Sequence, residues 1–293
     1  MSKQNLEMKS KQLKRLLSDS LVEAISAEDV IGVLFSGGLD SSLTAAIVST
    51  IHSEPFPLIV TGIETAKDIQ LARESATYLN LPLTIRIFTQ DDVKERLKEI
   101  LLILGVTGVL QVELAIPLFF AAECARQFGV TKIISGQGAD ELFGGYARHE
   151  RTFLQYGEQA VIVEIAADLR KLQQETLPFQ EAIVQHFNLQ LINPFLSEMM
   201  VAFSNELPFS FKISQSENSV IRKYLLRVLA KEIGFPSVIS DAPKRAMQYG
   251  SGAHRILANL SAEYWSKTSP RITQKEARSH VRINQYLIQH IDE

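Results

Sequence analysis

The sequence contains one cysteine, one tryptophan and no apolar run close to the ~20 residues that cross a bilayer. The single cysteine, Cys124, excludes an intramolecular disulfide and argues against a thiolate metal site, so we expect it to pack in the core. The formal net charge of −3 argues against a broad nucleic-acid surface, which usually displays clustered Lys and Arg. Residues 1–17 lack the apolar core and cleavage site of a secretory signal. We therefore expect a cytoplasmic protein with no nucleic-acid and no membrane partner.

The chain does have strand-like and helix-like segments in alternation. Its 293 residues, 46% hydrophobic and 22% charged, suffice for one large domain or two modest ones. Short apolar runs typical of buried strands cover 29–35, 56–63, 82–88 and 130–135, and helical patterns cover 39–52, 67–80, 91–104 and 113–128. This order predicts an α/β fold with a parallel, doubly wound sheet and helices on both faces.

Both ends of the chain are predicted to be helical. Residues 3–27 have the pattern of an amphipathic helix. After Tyr146 no strand-like run is evident, and the loop expected at 214–219 would cap the next helix through Asn218 or Ser219. We expect an N-terminal helix (1–28), an α/β domain (29–149) and a helical part (150–293). The helices predicted in that last part lie near 150–174, 178–187, 196–205, 218–232, 252–265 and 273–291.

The stretch "SGGLDSS", residues 36–42, follows the first predicted strand and opens a helix. Gly37 and Gly38 let the backbone approach an anion closely at a helix N-terminus, but no lysine follows them as a P-loop requires. Asp40 would repel a phosphate unless a hard cation such as Mg²⁺ lay between them. The stretch therefore indicates a site for a metal-bound polyphosphate, and the alternative is a turn that only caps a helix.

This stretch resembles the pyrophosphate-binding loop of the ATP-pyrophosphatase (PP-loop) superfamily, whose members split ATP into AMP and pyrophosphate. A second motif, "ISGQGADELFGGY" at 134–146, resembles the corresponding loop of asparagine synthetases. Residues 177–208 and 219–254 resemble two later segments of that family, in the same order. The resemblance covers roughly residues 29–260, corresponds to the synthetase domain, and implies an adenine nucleotide alpha hydrolase-like fold.

The resemblance implies an ATP-dependent ligase that activates a carboxylate, with aspartate the leading substrate, as an acyl-adenylate and then amidates it with ammonia. ATP and Mg²⁺ are the implied cofactors, and asparagine biosynthesis is the implied role. Asp40 and Asp140 would hold Mg²⁺, and Lys244 would stabilise charge in the transition state. Capping is the alternative role for Asp140 and Glu141, and solvent exposure is the alternative for Lys244. The implied nucleotide contacts are Ser36, Gly37, Gly38, Asp40 and Ser41 for the pyrophosphate, Leu34 and Ile63 for adenine, and Ser135 and Gly136 for the ribose and α-phosphate.

The sequence departs from the family pattern at several positions. Gln137 stands where asparagine synthetases usually carry a glutamate, and a neutral amide orients a substrate but takes up no proton. Gln190, Ile192 and Ser197 replace charged residues around the family's Pro-Phe-Leu segment. About 28 residues precede the first predicted strand, too few for the glutaminase domain of full-length relatives. We therefore expect a stand-alone form that uses free ammonia, a separate glutaminase subunit or another amine.

Three rival functions remain open from the sequence. Gln137 favours amidation or cyclisation of a different carboxylate, or a weakly active ATP-binding subunit of a glutaminase complex. A tRNA-modifying pyrophosphatase is disfavoured by the second motif. The sequence also leaves a homodimer open. The six histidines have no paired spacing typical of a zinc site, so zinc chemistry is not expected.

Overall fold

The computed structural model describes residues 2–105, 108–216, 219–241, 247–269 and 271–292. Its centre is a parallel sheet of five strands in the order β3-β2-β1-β4-β5. These strands are β1 (Ile31–Leu34), β2 (Leu58–Gly62), β3 (Leu83–Ile87), β4 (Lys132–Ile134) and β5 (Gln190–Ile192). A separate antiparallel hairpin pairs β6 (Ile213–Ser216) with β7 (Ser219–Arg222).

Helices connect the strands and cover both faces of the sheet. The first half contains α1 (Lys3–Ala24), α2 (Leu39–Ile51), α3 (Lys67–Leu79), α4 (Gln90–Leu104), α5 (Val109–Gln127), α6 (Ala139–Phe143), α7 (Ala147–Tyr156) and α8 (Glu158–Lys171). The second half contains α9 (Leu177–His186), α10 (Glu198–Glu206), α11 (Phe209–Lys212), α12 (Tyr224–Ile233), α13 (Ser237–Ser240), α14 (Met247–Gly250), α15 (Ala253–Thr268), α16 (Gln274–Ala277) and α17 (His280–Asp292). A π-helical segment (Leu172–Thr176) joins α8 to α9, and a 3-10 turn (Pro194–Leu196) precedes α10.

The strands form because apolar side chains alternate between two buried faces of the sheet. Leu58 and Val60 of β2 point into the core beneath α1, α2 and α12, whereas Ile59 points into the core beneath α4, α5 and α15. Ile134 and Ile133 of β4 divide between the same two cores. The predicted doubly wound α/β fold followed by a mainly helical part is confirmed.

The prediction that strands end after Tyr146 is wrong. β5 extends the sheet by pairing with β4, and the hairpin of β6 and β7 replaces both the expected loop and the start of the helix predicted from residue 218. Ser219 belongs to β7 and is no helix cap, and Asn218 lies outside the described residues. Three- and four-residue strands are readable only where a longer apolar run contains them, as at β1 and β4, and β5, β6 and β7 lack such a run.

No single helix in the described ranges is both long and apolar enough to span a membrane. α4 and α5 together meet the length and composition requirement, but they are bent by 113°. Thirteen of the residues of α5 are buried, among them Cys124, as expected for a helix packed in a protein core.

Candidate functional site

The crevice where the strand order reverses lies between β1 and β4. These neighbours run parallel, with Ile31 opposite Lys132 and Val33 opposite Ile134. The chain proceeds from β1 outward to β2 and β3 on one side, and from β4 to β5 on the other. In open α/β sheets the loops that leave such neighbouring strands diverge and leave a ligand crevice at their carboxyl ends. Both sequence motifs follow these two strands.

The first motif forms a tight loop between β1 and α2. The Ser41 hydroxyl donates to the Gly38 carbonyl at 3.2 Å, and the Ser36 and Ser41 hydroxyls lie 3.4 Å apart. Gly37 has a φ of +73°, and a Cβ there would lie 2.5 Å from the Leu71 carbonyl oxygen. Gly38 is the N-cap residue of α2. Helix α2 begins directly after this loop, and the backbone amides at its N-terminus favour the binding of an anion.

The second motif packs directly against the first. A Cβ on Gly136 would lie 3.0 Å from the Asp40 backbone, so only glycine fits without displacing the first loop. The Ser135 hydroxyl donates to Asn193 Oδ1 at 2.5 Å and accepts from the backbone N–H of Gln137 at 3.1 Å. Asn193, which follows β5, was not among the predicted site residues. The structure therefore brings Ser135, Gly136 and Asp40 together at one edge of the sheet.

The two predicted metal carboxylates are joined by a buried lysine. Lys223 Nζ lies 2.5 Å from Asp40 Oδ2 and 2.7 Å from Asp140 Oδ1. The Lys223 side chain is 4% exposed, and the three charges sum to −1. Asp140 thus forms an ion pair across the crevice, and α6 begins at Gly138 without a side-chain cap. Asp140 and Glu141 both lie in the first turn of α6, so their alternative role at the helix N-terminus stays a prediction.

Lys223 was missed by the sequence reasoning. It precedes α12 with a left-handed φ of 55°, which costs a non-glycine residue roughly 1–2 kcal/mol. A Cβ on Gly145 would lie 2.2 Å from Lys223 Cε and 1.9 Å from Asp140 Oδ1, so this glycine makes room for the ion pair. The helix predicted from residue 218 placed Lys223 inside that helix, whereas α12 begins only at Tyr224. The sequence therefore carried no signal for this ion pair.

The end of β2 forms the neighbouring wall of the crevice. The Ile63 amide donates to the Ser251 carbonyl at 2.9 Å, and a Cβ on Gly252 would lie 2.4 Å from Ile63 Cδ1. Leu34 is the half-buried last residue of β1. Residues 250–252 therefore close over the strand end predicted to contact adenine. Lys244, which precedes this segment, lies outside the described residues.

A network of buried polar groups backs the second motif. The Tyr146 hydroxyl donates to Glu141 Oε1 at 2.5 Å, and burial together with the negative charges of Glu141 and Asp140 raises the pKa of Tyr146 far above its usual value. His149 Nε2 lies 2.7 Å from Asp168 Oδ2, and Arg148 pairs with the same carboxylate. Burial would raise the pKa of Asp168, but these two hydrogen bonds outweigh it and lower that pKa. Asp168 is therefore held ionised, and Tyr146 remains a neutral donor behind Asp140.

The fold and the crevice define a doubly wound α/β protein with a glycine-rich loop and a lysine-bridged carboxylate pair at its switch point. A family model described as "Asparagine synthase" matches residues 12–162 and 156–291. The chain belongs to the asparagine synthase family.

Curated relatives extend this match. A Methanocaldococcus jannaschii protein, provisionally named glutamine-hydrolyzing asparagine synthetase 1, is 29% identical and the match covers 90% of this chain and 53% of that protein. Glutamine-hydrolyzing asparagine synthetase 1 of Lotus japonicus is 24% identical over 73% of this chain and 38% of its own length. The chain thus spans about half, or less, of the length of these relatives.

Solved structures are more distant. NMN synthetase from Francisella tularensis has a TM-score of 0.44 at 15% identity, covering 99% of this chain and 94% of that one. NH3-dependent NAD synthetase from Campylobacter jejuni has a TM-score of 0.34 at 15% identity, covering 71% and 98%. Both scores lie below 0.5, so the fold is assigned from the sheet order itself.

Proposed function

We propose that this chain is an ATP-dependent carbon–nitrogen ligase that activates aspartate as an acyl-adenylate and amidates it with ammonia. The observation that carries the proposal is the ion pair of Lys223 with Asp40 and Asp140, set beside the glycine loop at the switch point. Family membership supports the same chemistry. A carboxylate oxygen attacks the α-phosphorus of ATP and releases pyrophosphate. Ammonia then attacks the acyl carbon and releases AMP, losing a proton as the amide forms.

The electrostatics of the crevice suit the release of a polyphosphate. The unpaired amides at the N-terminus of α2 and the Lys223 ammonium supply positive charge, and Ser36 and Ser41 supply hydroxyl donors. A buried cation held by two carboxylates is fixed in position, so no reorganisation is needed as negative charge develops. In this proposal Lys223 joins the loop residues in holding the pyrophosphate. Lys244 keeps its proposed role of stabilising negative charge in the transition state.

The carboxylate pair also fits a magnesium ion. Asp40 Oδ1 is buried and has no hydrogen-bond partner among the described residues, and it therefore offers a donor oxygen. Mg²⁺ favours one or two carboxylates together with phosphate oxygens and water. Asp40 and Asp140 would hold the ion, which when bound neutralises phosphate charge. The net charge of −1 left by Lys223 is compatible with one bound cation.

Gln137 limits the proton transfers that the proposed site can perform, because it stands where a glutamate would accept a proton. It is half-buried, and its side chain has no hydrogen bond to the described residues, so its amide is available to a ligand. An amide donates and accepts hydrogen bonds but takes up no proton. In this proposal Gln137 orients the carboxylate or the incoming ammonia, and the proton lost on amide formation leaves to water. This feature also favours the second candidate, amidation of a different carboxylate.

The experiment is a nucleotide assay of the full chain with Mg-ATP, ammonium and single acids, aspartate first. We expect AMP and pyrophosphate in equal amounts, with asparagine as the third product. Asp140→Asn should lower the rate by roughly 100-fold or more, as loss of preorganised charge typically does. The matched control is Asp29→Asn, because Asp29 pairs with Lys132 at 2.8 Å at the opposite end of β4.

Two outcomes would redirect or end the proposal. AMP formed with another acid but not with aspartate would establish the second candidate. ATP binding without AMP for any acid would leave only a binding role. Replacing ammonium by glutamine, with and without an added glutaminase, would identify the nitrogen source that this chain accepts.

A further inference from the structure

Three metal-ligating side chains meet outside the nucleotide crevice. Glu113 comes from α5, His254 from α15 and His280 from α17. One ligand atom from each lies within 4.8 Å of the other two. Glu113 and His254 are 141 positions apart along the chain, and His254 and His280 are 26 apart. The sequence spacing therefore does not indicate a metal site. The proposed ligase chemistry assigns none of them a role.

Glu113 is the unusual member of the group. It is 1% exposed, and a buried carboxylate is expensive unless it is paired or coordinated. His254 Nδ1 lies 2.6 Å from Glu113 Oε1 and supplies one partner. A hydrogen bond between these two residues needs no third group. His280 nevertheless stacks on His254, with ring centroids 5.8 Å apart and ring planes inclined by 30°.

We propose that Glu113, His254 and His280 form a binding site for one divalent transition-metal ion, with Zn²⁺ the best fit. Two imidazoles and one carboxylate are a donor set that zinc accepts, with a fourth position left for water or a ligand. Ligand atoms bound tetrahedrally at ~2.0–2.1 Å stand roughly 3.3 Å apart, so the present donors need to approach by about an ångström. His280 can provide that movement because it is exposed and begins its helix.

The surroundings suit an open site that also joins elements of the fold. His280 also lines a cleft of about 520 Å³ together with Val109, Leu110 and Leu114. His254 follows Gly252, whose backbone packs on Ile63 at the end of β2. A bound ion would therefore fasten α5, α15 and α17 together beside the proposed adenine contact.

The test is calorimetric titration of the EDTA-treated, desalted full chain with Zn²⁺, without nucleotide, and a parallel titration with Co²⁺ followed by visible absorption. We expect one Zn²⁺ per chain and the intense visible bands of tetrahedral Co²⁺. His280→Ala should weaken binding at least tenfold, and its exposed position makes loss of the fold an inadequate explanation. His254→Gln should weaken it similarly. His186→Ala is the matched control, since His186 pairs with Glu99 at 2.9 Å and the described residues place no third ligand beside them.

The proposal is overturned if no saturable binding occurs, or if His280→Ala and His254→Gln bind Zn²⁺ as tightly as the unaltered chain. Binding that survives both histidine substitutions and disappears in Asp40→Asn would assign the ion to the carboxylate pair instead. None of these results depends on ligase activity, so failure of this inference and failure of the proposed function are separable.

Discussion

Lys223→Met is expected to destabilise the protein because it leaves two carboxylates facing each other without their shared cation. The Asp40 and Asp140 side chains are 17% and 8% exposed, so water compensates little. Removing one partner of a buried ion pair typically costs ~3–5 kcal/mol. Relief of the left-handed lysine backbone does not offset this, since methionine inherits the same φ of 55°. We expect a loss of about 3 kcal/mol, allowing for the partial exposure of Asp40.

The assay is urea unfolding in EDTA, followed by circular dichroism and by fluorescence of Trp265. With a denaturant slope of ~3 kcal/mol/M, the midpoint should fall by roughly 1 M. The control is Lys132→Met, which breaks the pair with Asp29 at the other end of β4 and leaves the crevice intact. In a parallel titration without EDTA, Mg²⁺ should stabilise Lys223→Met more than Lys132→Met, because only the former exposes a carboxylate pair to the ion. A loss below about 1 kcal/mol, or equal stabilisation by Mg²⁺, would refute the reasoning.

Three further predictions give independent checks. Burial lowers the pKa of Lys212 from 10.5 to about 8. Charging this buried lysine therefore destabilises the folded state below pH 8, and the destabilisation disappears as the pH rises towards 10.5. Lys212→Met should therefore raise the free energy of unfolding at pH 7 by up to ~3 kcal/mol and by less at pH 10, and urea titrations showing no gain at pH 7 would contradict this. Gly37→Ala should cost more than ~2 kcal/mol, because its Cβ would meet the Leu71 carbonyl, whereas Gly105→Ala, at φ +61° in open space, should cost only about 1 kcal/mol in the same titration. Gln137→Glu adds a group able to accept a proton and should raise the steady-state rate of asparagine formation by roughly tenfold or more, so an unchanged or lower rate would argue that proton uptake there is unimportant.

Much of the fold could be predicted from the sequence because long, periodic elements carry a strong local signal. β1 to β4 lie within the four predicted apolar runs, and α2, α3 and α4 agree with prediction to within one residue at either end. β5 escaped notice because a three-residue edge strand takes its conformation from β4 rather than from its own pattern. The hairpin of β6 and β7 was similarly hidden in polar residues.

The candidate site was predictable where glycine spacing and strand position defined it. Gly37, Asp40 and Asp140 met in space because the carboxyl ends of neighbouring parallel strands share one edge. Lys223 was not predictable in this way, because it lies far along the chain between β7 and α12 and an isolated lysine is usually exposed. The same limit hid the group of Glu113, His254 and His280, whose members are brought together only by tertiary packing.

The central claim is that a carboxylate oxygen attacks the α-phosphorus of ATP. It is tested most directly with aspartate labelled with ¹⁸O in its side-chain carboxylate, incubated with the full chain, Mg-ATP and ammonium, and with mass spectrometry of the nucleotide products. Formation and amidation of an acyl-adenylate must leave one heavy oxygen atom in AMP, and this is the predicted result. Unlabelled AMP formed together with asparagine, or asparagine formed with ADP and phosphate, would contradict it.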